Sequence, residues 1–147
     1  MSLSTETLEL TRSRAGASVN FLGCNARPST RIMNDTCLFC RIIERKVDAD
    51  LLYEDDRVVA FRDIHPQAPV HVLIVPRTHI PTVNDVRETH TPEISGLFQA
   101  AAKIAVDQGV DQSGYRLVMN CQEGAGQSVF HLHLHLLGGR RMHWPPG

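Results

Sequence analysis

The sequence has little of what membrane, secreted or nucleic-acid-binding proteins require. No apolar run approaches the roughly 18 residues of a membrane-spanning helix. The formal net charge is −1, so no general attraction to nucleic acid or to an anionic membrane surface is expected. There are only four cysteines and no secretory leader, which favours a reducing compartment over a disulfide scaffold (Cys24, Cys37, Cys40 and Cys121). These absences predict a cytoplasmic protein, with a nuclear location also compatible.

The length of 147 residues, 42% of them hydrophobic, predicts one domain with a substantial core. Residues 1–34 are rich in Ser, Thr, Arg and Asn and have no sustained apolar period, so we expect a flexible N-terminal extension. An organelle transit peptide is the alternative, although Glu6 and Glu9 do not suit its acid-poor composition. The folded domain is predicted at residues 35–147.

Hydrophobic patterning within this domain predicts two helices and five strands. The short helix begins near the capping residues at 34–36 and continues through Arg45. The long helix begins at Thr91 and stops at Gly109, with an inward stripe that includes Phe98. The predicted strands are joined mostly by short turns and lie at 51–53, 58–62, 71–75, 115–119 and 128–137. This order predicts an antiparallel α+β domain.

The last of these strands alternates histidine with leucine. Because successive side chains of a strand point to opposite faces, three imidazoles should share one face and three leucines the other (His131, His133 and His135 against Leu132, Leu134 and Leu136). We expect the leucines to join the core and the imidazoles to line a cleft or meet a partner. The alternative is a solvated strand face or an accidental metal-binding patch.

A polar loop at residues 120–128 leads into this strand and contains Gly124 and Gly126. Such loops can turn backbone N–H groups toward an anion, and glycine permits close approach. Placed beside a row of imidazoles, the loop predicts a phosphate held against a nitrogen nucleophile or acid.

Residues 131–137 match the histidine triad signature, His-φ-His-φ-His-φ-φ with φ apolar, and on this basis the chain resembles the histidine triad (HIT) family. The segments at 63–69, 126–129 and 138–147 resemble its Hint branch in particular. The resemblance covers residues 35–147. It implies a five-stranded antiparallel sheet with one long and one short helix, and a homodimer in which the sheet continues across both chains.

The resemblance also implies roles for individual residues. His133 would attack the α-phosphorus of a nucleotide and form a nucleotidyl-imidazole that water then opens. His135 would bind or protonate phosphate oxygens, and His71 would support the triad. The phosphate and leaving group would be held by the loop residues and the neighbouring amide (the N–H groups of Gly126 and Gln127, with Ser128 and Asn120).

At the nucleoside end, Asp63 would accept hydrogen bonds from the ribose hydroxyls, although a turn-capping aspartate is an equal alternative on local sequence. Five apolar residues would form the purine pocket, and in other proteins such residues are more often plain core (Phe39, Ile42, Phe61, Ile64 and Leu73). Trp144, in the tail, would reach toward a partner's site. His65 is expected at the surface.

Cys37 and Cys40 are spaced to lie about one turn apart on the short helix, as in many zinc sites. Bacterial-type members of the family complete such a site with two histidines, which here are His79 and His131. The resemblance therefore implies structural zinc, whereas the animal Hint proteins lack the cysteine pair. A redox-active or idle cysteine pair is the alternative.

Taken together, these features predict hydrolysis of purine nucleoside phosphoramidates. The alternatives are hydrolysis of dinucleoside polyphosphates, as in the related Fhit branch, and a nucleotide-binding interaction protein with vestigial activity. A zinc-finger nucleic-acid module fits poorly, because the net charge is slightly negative and no basic patch is evident.

Overall fold

The computed structural model describes residues 34–146, so nearly all of the predicted extension lies outside the described residues. The described chain forms an antiparallel sheet in the strand order β1-β2-β3-β5-β4. The strands are β1 (Leu51–Glu54), β2 (Val58–Arg62), β3 (Val70–Pro76), β4 (Tyr115–Val118) and β5 (Leu134–Gly138). The helices are α1 (Leu38–Ile43) and α2 (Thr91–Asp107). Within residues 34–146, no helix is long and apolar enough to cross a membrane.

The two helices cover opposite faces of the sheet. One face packs against α2 through Leu97, Ala101 and Ile104, and it includes all three leucines of the histidine–leucine stretch. The other face packs against α1 through Phe39 and Ile42. Because α1 has only six residues, it covers part of its face, and the uncovered part is where the site described below lies.

The last strand is shorter than the sequence pattern predicted. β5 begins at Leu134, not at Ser128, because the backbone groups of the preceding residues form their hydrogen bonds outside the sheet. The N–H of His131 donates to the carbonyl of Val129 at 2.9 Å, and the N–H of Leu132 donates to that of Ile80 at 2.6 Å. The predicted separation of faces nevertheless holds, since Leu132 belongs to the α2-side core while the ring of His131 lies against Phe39 of α1.

Two helix predictions also need correction. Phe98 is 50% exposed, because the buried stripe of α2 follows Leu97, Ala101 and Ile104 and leaves Phe98 beside it. The short helix is capped by Cys37 and ends at Ile43, since Arg45 adopts a left-handed φ of 62° that cannot continue a helix.

Candidate active site

Three histidines from two adjacent strands form a cluster on the α1 side of the sheet. His135 lies on β5 opposite Leu73 of β3, and His133 directly precedes that strand. The ring centroids of His133 and His135 are 4.9 Å apart, and those of His71 and His135 are 5.2 Å apart. The fold therefore brings together the two histidines to which the family resemblance gave phosphate chemistry, His133 and His135, and the histidine expected to support them, His71.

His133 has a defined tautomer. Its Nδ1 lies 2.7 Å from the carbonyl oxygen of His131, and a carbonyl can only accept, so Nδ1 carries the proton and Nε2 keeps a free lone pair. Burial lowers the pKa of His133 below its usual value, because desolvation penalises the charged ring. A buried, neutral imidazole with one bare nitrogen has the electronic form of a nucleophile.

A chain of hydrogen bonds fixes His71 and His135 as well. The backbone N–H of Gln67 donates to Nδ1 of His71 at 3.1 Å, so the proton of His71 is on Nε2. That Nε2 lies 2.9 Å from Nδ1 of His135, which must then accept. The proton of His135 is therefore on its Nε2, a buried atom that has no hydrogen-bond partner among the described residues.

Burial keeps this pair neutral. Desolvation lowers the pKa of His135 to about 4, with His133 and His71 acting in the same direction and Asp63 opposing them. Desolvation also lowers the pKa of His71. The carboxylate of Asp63, whose Oδ2 lies 3.4 Å from Nε2 of His71, acts in the opposite direction. A buried N–H without a hydrogen-bond partner lowers the stability of the folded protein, unless a ligand accepts a hydrogen bond from it. The cluster thus presents a lone pair on His133 and a donor on His135.

A second group joins the two cysteines to two further histidines, as predicted. Nδ1 of His131 lies 3.5 Å from Sγ of Cys37, 3.6 Å from Sγ of Cys40 and 3.2 Å from Nδ1 of His79. The ring N–H at Nε2 of His131 donates to the carbonyl of Pro76 at 2.8 Å, which leaves Nδ1 bare. All four ligand atoms lie within 4.8 Å of one another, so this group could hold a metal ion.

The chemistry of this group suits a cation. Burial lowers the pKa of His131 to about 4 and raises the pKa of the Cys40 thiol to about 11. The histidine is thereby kept in its unprotonated, ligating form, while the thiol would be deprotonated by the bound cation itself. Cys121 lies outside the group, as expected.

A cavity of about 410 Å³ opens between α1 and strands β2 and β3. Its lining includes Asp63 and all five apolar residues assigned to the purine pocket (Phe39, Ile42, Phe61, Ile64 and Leu73). Ile64 is 85% exposed and lies at the mouth. The cavity is also lined by Leu38, Arg62 and the segment 47–50, which belong to no sequence motif and reach the cavity through folding alone.

The glycine-bearing loop differs from its predicted form. The N–H of Gly126 donates to the carbonyl of Glu123 at 2.8 Å, and that of Gln127 donates to Gln122 at 3.1 Å, so both are already paired within the loop. The side-chain amide of Gln127 is also paired, with the carbonyls of Pro81 and Val129. In this conformation Gln127 stabilises the loop, and its backbone N–H and side-chain amide are not available to bind an anion.

The remaining predicted residues lie nearby but are more open. Ser128 is exposed and lines a shallow cavity with Cys37 and His79. The amide nitrogen of Asn120 lies 3.9 Å from where a Cβ on Gly126 would be. Trp144 is 85% exposed and does not line the cavity between α1 and strands β2 and β3 of its own chain. His65 is exposed, in agreement with its predicted surface position.

The chain that forms this site is similar in sequence to a known family. Residues 44–142 match the family model described as HIT domain. The chain belongs to the HIT domain family. This confirms the resemblance drawn from the histidine signature. The cysteine pair lies outside the matched residues, so the metal group of this HIT domain rests on its own geometry.

Relatives of known name or structure agree with this assignment. A protein of Escherichia coli (strain K12) named purine nucleoside phosphoramidase is 50% identical over 108 residues, which are 74% of this chain and 91% of the relative. A HIT family hydrolase from Legionella pneumophila Philadelphia 1 superposes with a TM-score of 0.74 at 50% identity, covering 76% of this chain and 99% of its own. A second, from Clostridium thermocellum, has the same TM-score at 48% identity and covers 76% and 96%. The predicted α+β fold class is thereby confirmed.

The low pKa of His135 predicts a loss of stability in acid. An unfolded His135 takes up a proton near its usual pKa of 6.5, whereas the folded ring does so only near 4, so the free energy of unfolding falls as the pH drops through this window. We expect His135→Gln to reduce that slope, by at most about 1.4 kcal/mol per pH unit, the limit for one proton. Urea unfolding of both proteins with a metal chelator, between pH 7 and 4, measures it.

The control is His65→Gln, which removes a histidine exposed to water. It should leave the wild-type slope unchanged. If His135→Gln also kept that slope, the assignment of a neutral, buried ring at this position would be wrong.

Proposed function

We propose that this chain hydrolyses purine nucleoside phosphoramidates at the P–N bond of the α-phosphate. The observation that carries the proposal is the bare Nε2 of His133 beside the N–H of His135, for which residues 34–146 supply no acceptor. Such a pair suits a phosphoryl group, which offers an electrophilic phosphorus and oxygens that accept hydrogen bonds. The name of the relative from Escherichia coli supports the same reaction.

In the proposed reaction, Nε2 of His133 attacks the α-phosphorus and a nucleotidyl-imidazole forms as the P–N bond to the amine breaks. The amine departs with a proton taken from solvent, because His135 is a neutral donor and a weak acid. The N–H of His135 binds a phosphoryl oxygen as charge develops there. Water then breaks the bond to His133, releasing the nucleoside monophosphate and restoring the bare nitrogen.

The rest of the nucleotide follows from the position of the cavity. Asp63 lines the cavity, and its carboxylate lies 3.4 Å from Nε2 of His71, which supports a role as acceptor for the ribose hydroxyls. The base then enters the apolar part of the cavity between Phe39 and Leu73. Ser128 and Asn120 would contact the phosphate side from the loop.

Replacing the nucleophile should abolish turnover. We expect His133→Ala to lower kcat for an adenosine 5′-phosphoramidate by about 10³-fold or more, because no other group supplies the covalent step. A continuous assay of released amine measures it, with His65→Ala as the matched control in an exposed histidine.

Turnover that survived in His133→Ala would remove His133 as the nucleophile. Running a dinucleoside polyphosphate in the same assay tests the Fhit-like alternative. Binding of a nucleoside monophosphate in calorimetry, without turnover of either substrate, would instead support an interaction protein with vestigial activity.

We further propose that Cys37, Cys40, His79 and His131 hold zinc. Two thiols and two imidazoles form a four-ligand set of the kind that structural zinc prefers, with no position left for water. Three of the four side chains are buried or nearly so, including His131 at 0% exposure, as suits a closed structural site. The zinc would stabilise the fold and would take no part in the phosphoryl chemistry.

Metal analysis tests this proposal directly. We expect about one zinc ion per purified chain, and a large loss of zinc in Cys40→Ser because a hydroxyl is a poor fourth ligand. Cys121→Ser is the control, since that thiol lies outside the group. Full zinc content in Cys40→Ser, or none in the wild type, would contradict the assignment.

We also propose a homodimer, built through β4, which is an edge strand of the sheet. Unpaired backbone groups on an edge favour pairing with a second strand. The tail runs beside this edge, because the guanidinium of Arg116 on β4 donates to the carbonyl of His143. A partner paired there would lie close to the exposed Trp144.

Light scattering at micromolar concentration should give twice the mass of one chain. The mass of a single chain at that concentration would contradict the dimer.

A further inference from the structure

The far rim of the nucleoside cavity carries carboxylates that the family motifs do not include. Asp48 and Asp50 line the cavity together with Val47 and Ala49. This segment leads into β1, the strand farthest from β4, whereas His133 and His135 lie at β5. β1 and β5 are separated by three strand spacings of about 4.8 Å each, which is comparable to the length of a nucleotide from its phosphorus to the far edge of its base.

A purine oriented in this way presents one particular edge to the rim. With its phosphate at His133 and its ribose at Asp63, as the proposed function has it, the glycosidic nitrogen would face the histidines. The opposite edge of the base, which carries N1 and its neighbouring substituents, therefore faces the segment 47–50. In this orientation a polar group on that segment would face the atoms that distinguish guanine from adenine.

The two carboxylates differ in how far they are already engaged. Oδ2 of Asp50 lies 3.1 Å from Nε of Arg62 in an ion pair, and Arg62 also donates to Gln108. Asp48 is exposed, and within residues 34–146 it forms no ion pair. Asp48 is thus the rim carboxylate whose oxygens are available to a base.

A carboxylate discriminates between the two purines because it can only accept hydrogen bonds. The N1-bearing edge of guanine offers two adjacent donors, the N1–H and the 2-amino group, which match two carboxylate oxygens. Adenine offers the 6-amino group beside a bare N1, whose lone pair faces the second oxygen. Recognition of a donor edge rejects a base that presents a lone pair there.

We propose that Asp48 makes this chain prefer guanosine over adenosine phosphoramidates. The inference rests on the proposed function and adds the identity of the base. Because Asp48 is exposed to water, the preference should be modest, about tenfold in kcat/KM.

The test compares kcat/KM for guanosine, inosine and adenosine 5′-phosphoramidates that carry the same amine. Inosine keeps the N1–H and lacks the 2-amino group, so it should fall between the other two. Asp48→Ala should bring the guanosine-to-adenosine ratio close to one. Asp48→Asn should move it further toward adenosine, since an amide offers one acceptor and one donor to the N6–N1 edge.

The matched control is Asp111→Asn, which neutralises an exposed carboxylate that does not line the cavity and should keep the wild-type ratio. A wild-type ratio near one would overturn the inference while leaving the proposed function intact. A guanosine preference that persisted in Asp48→Ala would also overturn the inference, because the base would then be recognised by the backbone of the rim. No turnover of any of the three substrates would overturn both.

Discussion

The hydrogen bond from the ring of His133 to the backbone carbonyl of His131 is the contact on which the site depends. It holds the proton of His133 on Nδ1 and leaves Nε2 bare, which is the form that can attack phosphorus. The same residue, His131, presents its own Nδ1 to Cys37, Cys40 and His79. The geometry of the metal group and the tautomer of His133 are therefore connected through a single residue.

Burial acts on the histidines in a consistent direction. Desolvation lowers the pKa of His71, His133 and His135, so each ring is neutral at pH 7 and can be assigned one donor and one acceptor. Asp63 opposes the shift at all three, but it does not outweigh burial. The outcome is a cluster whose lone pairs and N–H groups have fixed directions. Rings exposed to water would instead exchange their protons freely with the solvent.

The sheet separates the stable part of the molecule from the reactive part. Leu132, Leu134 and Leu136 pack in the core beneath α2, and the imidazoles emerge on the opposite face, which the six-residue α1 covers only in part. A longer helix on that side would extend over the cavity between α1 and strands β2 and β3. The short helix thus leaves the cavity open and also supplies Cys40, Phe39 and Ile42 to the two sites.

The sequence by itself determined the features that depend on spacing along the chain. Alternation of histidine and leucine separated the two faces even where the strand ladder stops, and the spacing of Cys37 and Cys40 identified half of the metal group. Tertiary structure decided what residue spacing does not record: which group lies opposite each ring nitrogen, the pairing of Gly126 and Gln127 within their loop, and the place of Asp48 at the rim. The physical reason is that a tautomer is set by whichever group lies opposite the ring nitrogen, as Gln67 does for His71 and His71 does for His135, and the alternation of residue types does not record that neighbour.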